Sequence, residues 1–379
     1  MASRHVPKDL SHVRGFNYQS AATKDHTDHW LNYSPAHTDF ELDLAKRLNL
    51  NQVRVFITYQ AYAQGRQEFL ERLLHFVRAC EKRDIGVMIV SMYPREMVLD
   101  RSSWPAFREF AGDLVQTLSS EPALAFWDVS NEPDYGGDRW PDIVRMRMDH
   151  ARYMAGVFHE LDSVTPVTIG ATFVPGMEEL HDVVDVLSFH DYSPTRAEIR
   201  ANIERAKQFA FRVGKPVFDT EIGCVCRANP YDITLEEHMK AGMGWYIWEL
   251  MVTGQWGTVH GVFYQDGTVR DPSIAAAVLG FFRKRDRDII PTVLDREGHV
   301  KRIVAQIHAW LATPNASWEE GLRHAEFAAH LLEAGELVPM RDLPTREVYM
   351  RDGRPDLPLL RNLLQRYVAI LEPHILKKD

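Results

Sequence analysis

A chain of 379 residues with 45% apolar and 11% aromatic side chains can build one large folded domain and an appendage. Its 53 acidic residues outnumber 44 basic ones, and the formal charge of −9 excludes the clustered cationic surface that nucleic acid or anionic membrane partners demand. Three cysteines cannot make a disulfide framework, and no run approaches the roughly 18 apolar residues of a membrane span or resembles a secretory leader. Reduced thiols and a cytoplasmic setting are therefore expected, or a secreted one if a leader has been removed.

In chain order, short runs rich in β-branched and aromatic residues alternate with longer helical patterns. Strands are predicted over 13–17, 52–58, 86–91, 124–129, 167–171, 184–190, 216–220 and 244–248. Helices are predicted over 40–48, 67–83, 106–118, 139–161, 197–213, 235–241 and 273–283, while the link around 177–182 reads as short. Eight such alternations fit a closed (β/α)8 TIM barrel over residues 1–287. A doubly wound sheet would carry a glycine-rich phosphate turn after its first strand, and Gly15-Phe16-Asn17-Tyr18-Gln19-Ser20 is not one. From 288 to 379 the pattern turns helical, over 300–311, 317–334 and 357–371, with no strand-like run between. That helical C-terminal extension is expected to pack on the barrel and cover apolar surface.

The fourth predicted strand ends in Ser130-Asn131-Glu132-Pro133. Proline cannot extend a ladder and biases the residue before it towards extended backbone, so Glu132 is expected to stand extended at the strand tip. The seventh runs Val217-Phe218-Asp219-Thr220-Glu221-Ile222-Gly223 and also presents a carboxylate before a turn. Strand ends at the C-terminal face are where barrels keep their chemistry. Two carboxylates facing across that mouth suit glycosidic bond cleavage, one protonated for the leaving oxygen and one ionised for the anomeric carbon. Their spacing decides retention or inversion, and sequence does not fix it.

Asn131-Glu132-Pro133, Glu221, His190-Asp191-Tyr192 and Arg54 in Val53-Arg54-Val55-Phe56 together resemble the retaining glycoside hydrolases of the large (β/α)8 clan. Within that clan the resemblance is to family 5, the cellulase- and mannanase-like enzymes, and it spans about residues 10–285. It implies that Glu132 is the acid/base and Glu221 the nucleophile. It further implies that Asn131 holds the hydroxyl next to the reacting carbon, Arg54 orients Glu221, Tyr192 hydrogen-bonds it, His190 lines the site and Trp248 forms the sugar platform. Arg54 could instead pair with Asp219, and Glu249 either meets sugar hydroxyls or faces away. No cofactor is implied, and the partner is a carbohydrate. The chain departs from the family at the end of strand three, where Ser91-Met92-Tyr93-Pro94 replaces the usual histidine.

Asp25-His26-Thr27-Asp28-His29-Trp30 has metal-ligand residue types, but one local loop does not supply a converging set, so a polar loop and no metal are expected. Trp30, Tyr33, Trp104, Trp140 and Trp256 are either further subsites or packing. Cys224 and Cys226 have no base in the adjacent segment and read as loop or core residues. The function expected is a retaining β-glycosidase, exo-acting on small β-glycosides, because the first loop and the helical extension could close one end of the cleft. An endo-acting β-glucanase, mannanase or xylanase and an inactive sugar-binding barrel stand as alternatives. A phosphometabolite enzyme would need a phosphate cradle after strands seven and eight, and none is written there.

Overall fold

The computed structural model describes residues 6–254, 260–282, 296–333, 350–351 and 354–374. The chain divides into two compact units, Met1–Phe282 and Arg283–Asp379.

In the first unit eight parallel strands close into a barrel: β1 (Arg14–Tyr18), β2 (Gln52–Thr58), β3 (Gly86–Met92), β4 (Leu124–Asn131), β5 (Val167–Ala171), β6 (Leu187–Asp191), β7 (Val217–Ile222) and β8 (Gly244–Ile247). Alternation along each strand sorts the side chains. Val53, Val55 and Ile57 of β2 join Phe69, Leu73 and Phe76 of the helix Arg66–Glu81 in the outer core. Met88, Phe126, Phe218 and Tyr246 form a separate apolar cluster with Leu10 and Val13, the floor of the barrel. Above that floor comes a layer of a different kind. Asn17, Arg54, Asp128, His190 and Glu221 are polar and buried, and they belong to five different strands. Pairing register shifts between Asp128 and Asn131, between Phe189 and His190, and between Asp219 and Ile222. Such irregularities re-aim side chains, and here all three sit beside the polar layer.

Several predicted bounds need correction. The link between β5 and β6 contains a helix, Val174–Leu180, which proline and glycine within seven residues concealed. Short helices His26–Leu31, Tyr59–Gln64 and Arg95–Val98 were also not foreseen. The Asp25–Trp30 segment is thus largely helical rather than a loop: Asp25 caps it by accepting from the Asp28 N–H at 2.8 Å, and buried His29 accepts from the Ser20 N–H.

The second unit holds helices Arg296–Ala312, Trp318–Glu333 and Leu357–Leu371. They close their own core of Val300, Ile303, Ile307, Trp310, Leu331, Leu364 and Tyr367. A small antiparallel pair, Met350–Arg351 with Arg354–Pro355, corrects the expectation that no strand occurs there.

Candidate active site

Arg54 organises the polar layer. Its Nη1 meets Glu221 Oε1 at 2.6 Å and donates to Asn17 Oδ1 at 3.0 Å; its Nε donates to Asp128 Oδ2 at 2.9 Å, and its Nη2 to Asn131 Oδ1 at 2.7 Å. A planar guanidinium can serve four acceptors at once because its donors leave in fixed directions. The alternative pairing with Asp219 does not occur: that carboxylate meets His238 Nε2 at 3.0 Å, and burial raises it to about 7 against the opposing His238 bond.

Glu221 also accepts from the Tyr192 hydroxyl at 2.8 Å. Burial and the neighbouring Glu221 and Glu132 carboxylates push the Tyr192 phenol far above its ordinary value, so it remains a donor. The residue after Ile222 must be glycine, since Gly223 has φ +85° and a Cβ there would lie 2.4 Å from the Tyr231 ring.

Glu132 differs from Glu221 in its company. Among the described residues its carboxyl has one close side-chain partner, His190, whose Nδ1 lies 2.9 Å from Glu132 Oε1 and 3.4 Å from Glu221 Oε2. Burial pushes the Glu132 carboxyl above its usual value, against the pull of Arg227, Arg54 and Arg147. Burial also lowers His190 to about 4, so the ring is neutral. The tautomer that fits carries its proton on Nδ1, facing the carboxylates. Nε2 is buried without a partner, and a bare lone pair there costs less than a stranded N–H. Gly170 of β5 leaves the room for this: a Cβ would stand 2.8 Å from both His190 Nε2 and Arg54 Nη2.

The backbone at Glu132 corrects the sequence reading. It is not extended but left-handed, with φ +46°. Its N–H donates to the Gly170 carbonyl at 2.7 Å, and its own carbonyl accepts from Tyr135. Proline bars the right-handed helical conformation before it, and the left-handed turn is another way out. A non-glycine residue in that region costs about 1–3 kcal/mol and is concentrated at functional sites.

One oxygen each of Glu132 and Glu221 and a nitrogen of His190 lie within 4.8 Å of one another. Three such donors could hold a cation, but Arg54 already supplies a fixed positive charge to Glu221. The two glutamates line a cavity of about 250 Å³ with His26, Phe56, Met92, Asn131, Tyr192, Cys224, Arg227, Trp248 and His260. Trp248 stands edge-on to Phe56, which stacks with His26 at 4.5 Å, and the Trp248–Glu249 peptide is cis. Glu249 is not in the lining. It is buried, accepts from Thr253 Oγ1 at 2.8 Å, and is raised by burial to about 8.

Sequence reasoning missed several members of this set. Asn17 and Asp128 lie inside apolar strand runs, where only alternation marks them as inward-facing. Arg227 and His260 come from connecting segments, whose course has no periodic signal, whereas His26 belongs to the segment expected to be polar at the mouth and does line the cavity. Cys224 faces the cavity with His260 Nε2 3.7 Å from its sulfur, so a basic partner does come, from 36 residues away. Of the proposed aromatic subsites, Trp30 is buried and donates to the Phe56 carbonyl, and Trp104 is buried and donates to the Val98 carbonyl. Tyr33 stacks on Trp30 and Trp140 is exposed, both outside the cavity lining; Trp256 lies outside the described residues.

Neither a family model nor a curated protein sequence matches the chain. Its closed (β/α)8 barrel is similar in fold to solved glycoside hydrolase structures. An exo-β-1,4-mannosidase from Opitutaceae bacterium strain TAV5 aligns with TM-score 0.59 and 18% identity over 89% of this chain and 71% of that one. A GH5_18 variant from Streptomyces cattleya, in complex with Manb1-4GlcNAc, aligns with TM-score 0.58 and 16% identity over 85% and 91%. A GH5_18 from Bifidobacterium longum subsp. infantis gives 0.58 and 15% over 72% and 79%. At these identities the likeness is one of fold, and the chemistry has to be argued from the site.

Proposed function

We propose that this chain is a retaining β-glycoside hydrolase, exo-acting on small β-glycosides. One observation carries the reading: Glu132 and Glu221 bring oxygens within 4.8 Å of each other in electrostatically unlike surroundings. Glu221 is bound by Arg54 and Tyr192, whereas burial favours the protonated form of Glu132. That division separates a nucleophile from an acid. The spacing suits the roughly 5–5.5 Å of double displacement rather than the roughly 6.5–9.5 Å that admits a water between the carboxyls.

In the first step Glu221 attacks the anomeric carbon while Glu132 gives its proton to the departing glycosidic oxygen, leaving a glycosyl ester on Glu221. In the second, Glu132, now a carboxylate, takes a proton from water, and the water oxygen displaces Glu221 and regenerates both groups. Asn131 is fixed by Arg54 with its amide nitrogen free to serve a sugar hydroxyl, and the Trp248 face supplies an apolar wall. A cavity of about 250 Å³ lies below the range of drug-sized sites and suits one sugar unit, which favours exo action. The β-mannosyl ligand and the exo-mannosidase among the similar structures make β-mannosides the first substrates to try.

The test is a screen of nitrophenyl β-glycosides, β-mannoside first, beside polysaccharides. Glu221→Gln is expected to lower kcat on the best substrate by at least about 10³-fold. Glu132→Ala should be rescued by azide with a β-glycosyl azide as product. Turnover by Glu221→Gln at the wild-type rate would remove the nucleophile assignment.

A further inference from the structure

Beside the catalytic cavity lies a second, of about 180 Å³, which shares Met92 and Asn131 in its lining with the first. Its walls include Ser91, Tyr93, Arg95, Arg147 and His150. Among the described residues, Arg147 Nε and His150 Nε2 are buried without a hydrogen-bond partner, and the Ser91 and Tyr93 hydroxyls have at most each other. Ser91 and His150 are each only 1% exposed. An unmet buried polar group costs about 1–3 kcal/mol, so such groups are rare, and two of them beside a pair of hydroxyls that have only each other call for an occupant.

The charges say which kind. Arg147 donates to the Tyr135 carbonyl, and Arg95 stands near enough to disfavour its charge further. Neither guanidinium forms an ion pair among the described residues. Glu132 and Asp134 act on Arg147 only at a distance, and Asp134 is occupied by the backbone N–H and hydroxyl of Thr172, at 2.8 and 2.9 Å. Burial holds His150 near 4, so it adds a ring nitrogen without a third positive charge. A neutral hydroxyl could satisfy the donors but would leave the Arg147 charge, disfavoured by burial and by exposed Arg95, without an opposite charge beside it. An oxyanion relieves both at once, and arginine is the residue suited to meet it.

We propose that this second cavity seats an oxyanion carried on the sugar substrate, a uronic carboxylate or a phosphate ester, between Arg95 and Arg147 with the Ser91 and Tyr93 hydroxyls donating. The inference rests on the adjoining cavity being where the glycosidic bond is cut.

Calorimetry on the full chain with mannose, mannuronic acid, mannose 6-phosphate, their gluco counterparts and inorganic phosphate tests it. At least one acidic sugar should bind about tenfold or more tighter than its neutral parent, and Arg95→Gln and Arg147→Gln should each erase the difference. Preference for the uronic acid identifies a carboxylate, and preference for the phosphosugar identifies an ester. Three results would overturn the proposal: neutral sugars binding as well as acidic ones, a preference that survives both substitutions, or inorganic phosphate matching the phosphosugar. Hydrolysis of neutral nitrophenyl glycosides without any acid preference removes the subsite and keeps the glycosidase. Acidic-sugar binding by a chain that hydrolyses nothing does the reverse.

Discussion

Arg54 shows how one side chain can be structural and functional together. It is fully buried and bonded to Asp128, itself fully buried, whose other oxygen accepts from the Gly170 N–H at 3.1 Å. Removing one partner of such a pair leaves the other charge stranded, at about 3–5 kcal/mol. Arg54→Met should therefore lower the unfolding free energy by an amount of that order, read as a lower urea midpoint, as well as abolish turnover; an unchanged midpoint would show that the pair contributes nothing to folding. Arg227 allows a sharper question at the same scale. It is the foremost of the cations that hold the Glu132 carboxyl down against burial. In the proposed acid role Glu132 must be protonated to act, so activity is expected to fall as pH rises through its value. Arg227→Gln removes the opposing charge, raises that value, and should move the alkaline limb of kcat/KM to higher pH. A limb that stays put or moves down would mean another group governs it.

At the scale of elements, the strands were legible to differing degrees. β2 and β5 occupy the residues that their β-branched runs predicted, 52–58 and 167–171. β6 begins at Leu187 rather than 184, because an apolar run does not announce where pairing starts. Glu132, Glu221 and Asn131 could be singled out because each breaks an apolar pattern at a strand end, and Arg54, inside β2, through the family resemblance. The left-handed turn at Glu132 could not, since it depends on a carbonyl offered by β5, some forty residues away. Gly170 gives that dependence a test. Gly170→Ala would place a methyl 2.8 Å from Arg54 and His190 and 3.2 Å from Asp128 Oδ2. Overpacking of this kind costs about 1–3 kcal/mol. Thermal unfolding should move down accordingly, and kcat should fall at least tenfold, by an estimate of about 1.4 kcal/mol in the barrier. Wild-type turnover in this variant would mean that the layer tolerates displacement.

Across the whole molecule, burial has set several titrating groups against one another. His26, His150 and His190 are lowered to about 4 and His29 to about 3, in each case chiefly by burial. The unfolded chain binds protons at these sites below about pH 6.5 while the folded chain does not, so stability falls as pH drops from there towards 4. Asp219 and Glu249 act oppositely. Burial raises them to about 7 and about 8, so the folded chain holds protons that the unfolded chain has released, and stability falls as pH rises through neutrality. His260, also lowered to about 4 by burial, makes five such imidazoles, which outweigh two carboxyls on the acid side and lose their advantage once the unfolded histidines are neutral. Denaturation midpoints should accordingly pass through a maximum at about pH 6–7. His150→Leu should flatten the acid side of that curve, and an acid side that keeps its slope would show that this ring does not contribute.

On the double-displacement mechanism proposed for this chain, sharing Arg54 between Asp128 and Glu221 bears on the lifetime of the half-finished reaction. When Glu221 becomes an ester its negative charge disappears, yet the guanidinium keeps a counter-charge and is not left bare in a dry interior. The covalent adduct is consequently spared an electrostatic collapse of its surroundings and can wait for water. A 2-deoxy-2-fluoro glycoside, which slows departure of the sugar, should accumulate on the protein as a mass increase of one glycosyl unit, with Glu221 as the residue that bears it.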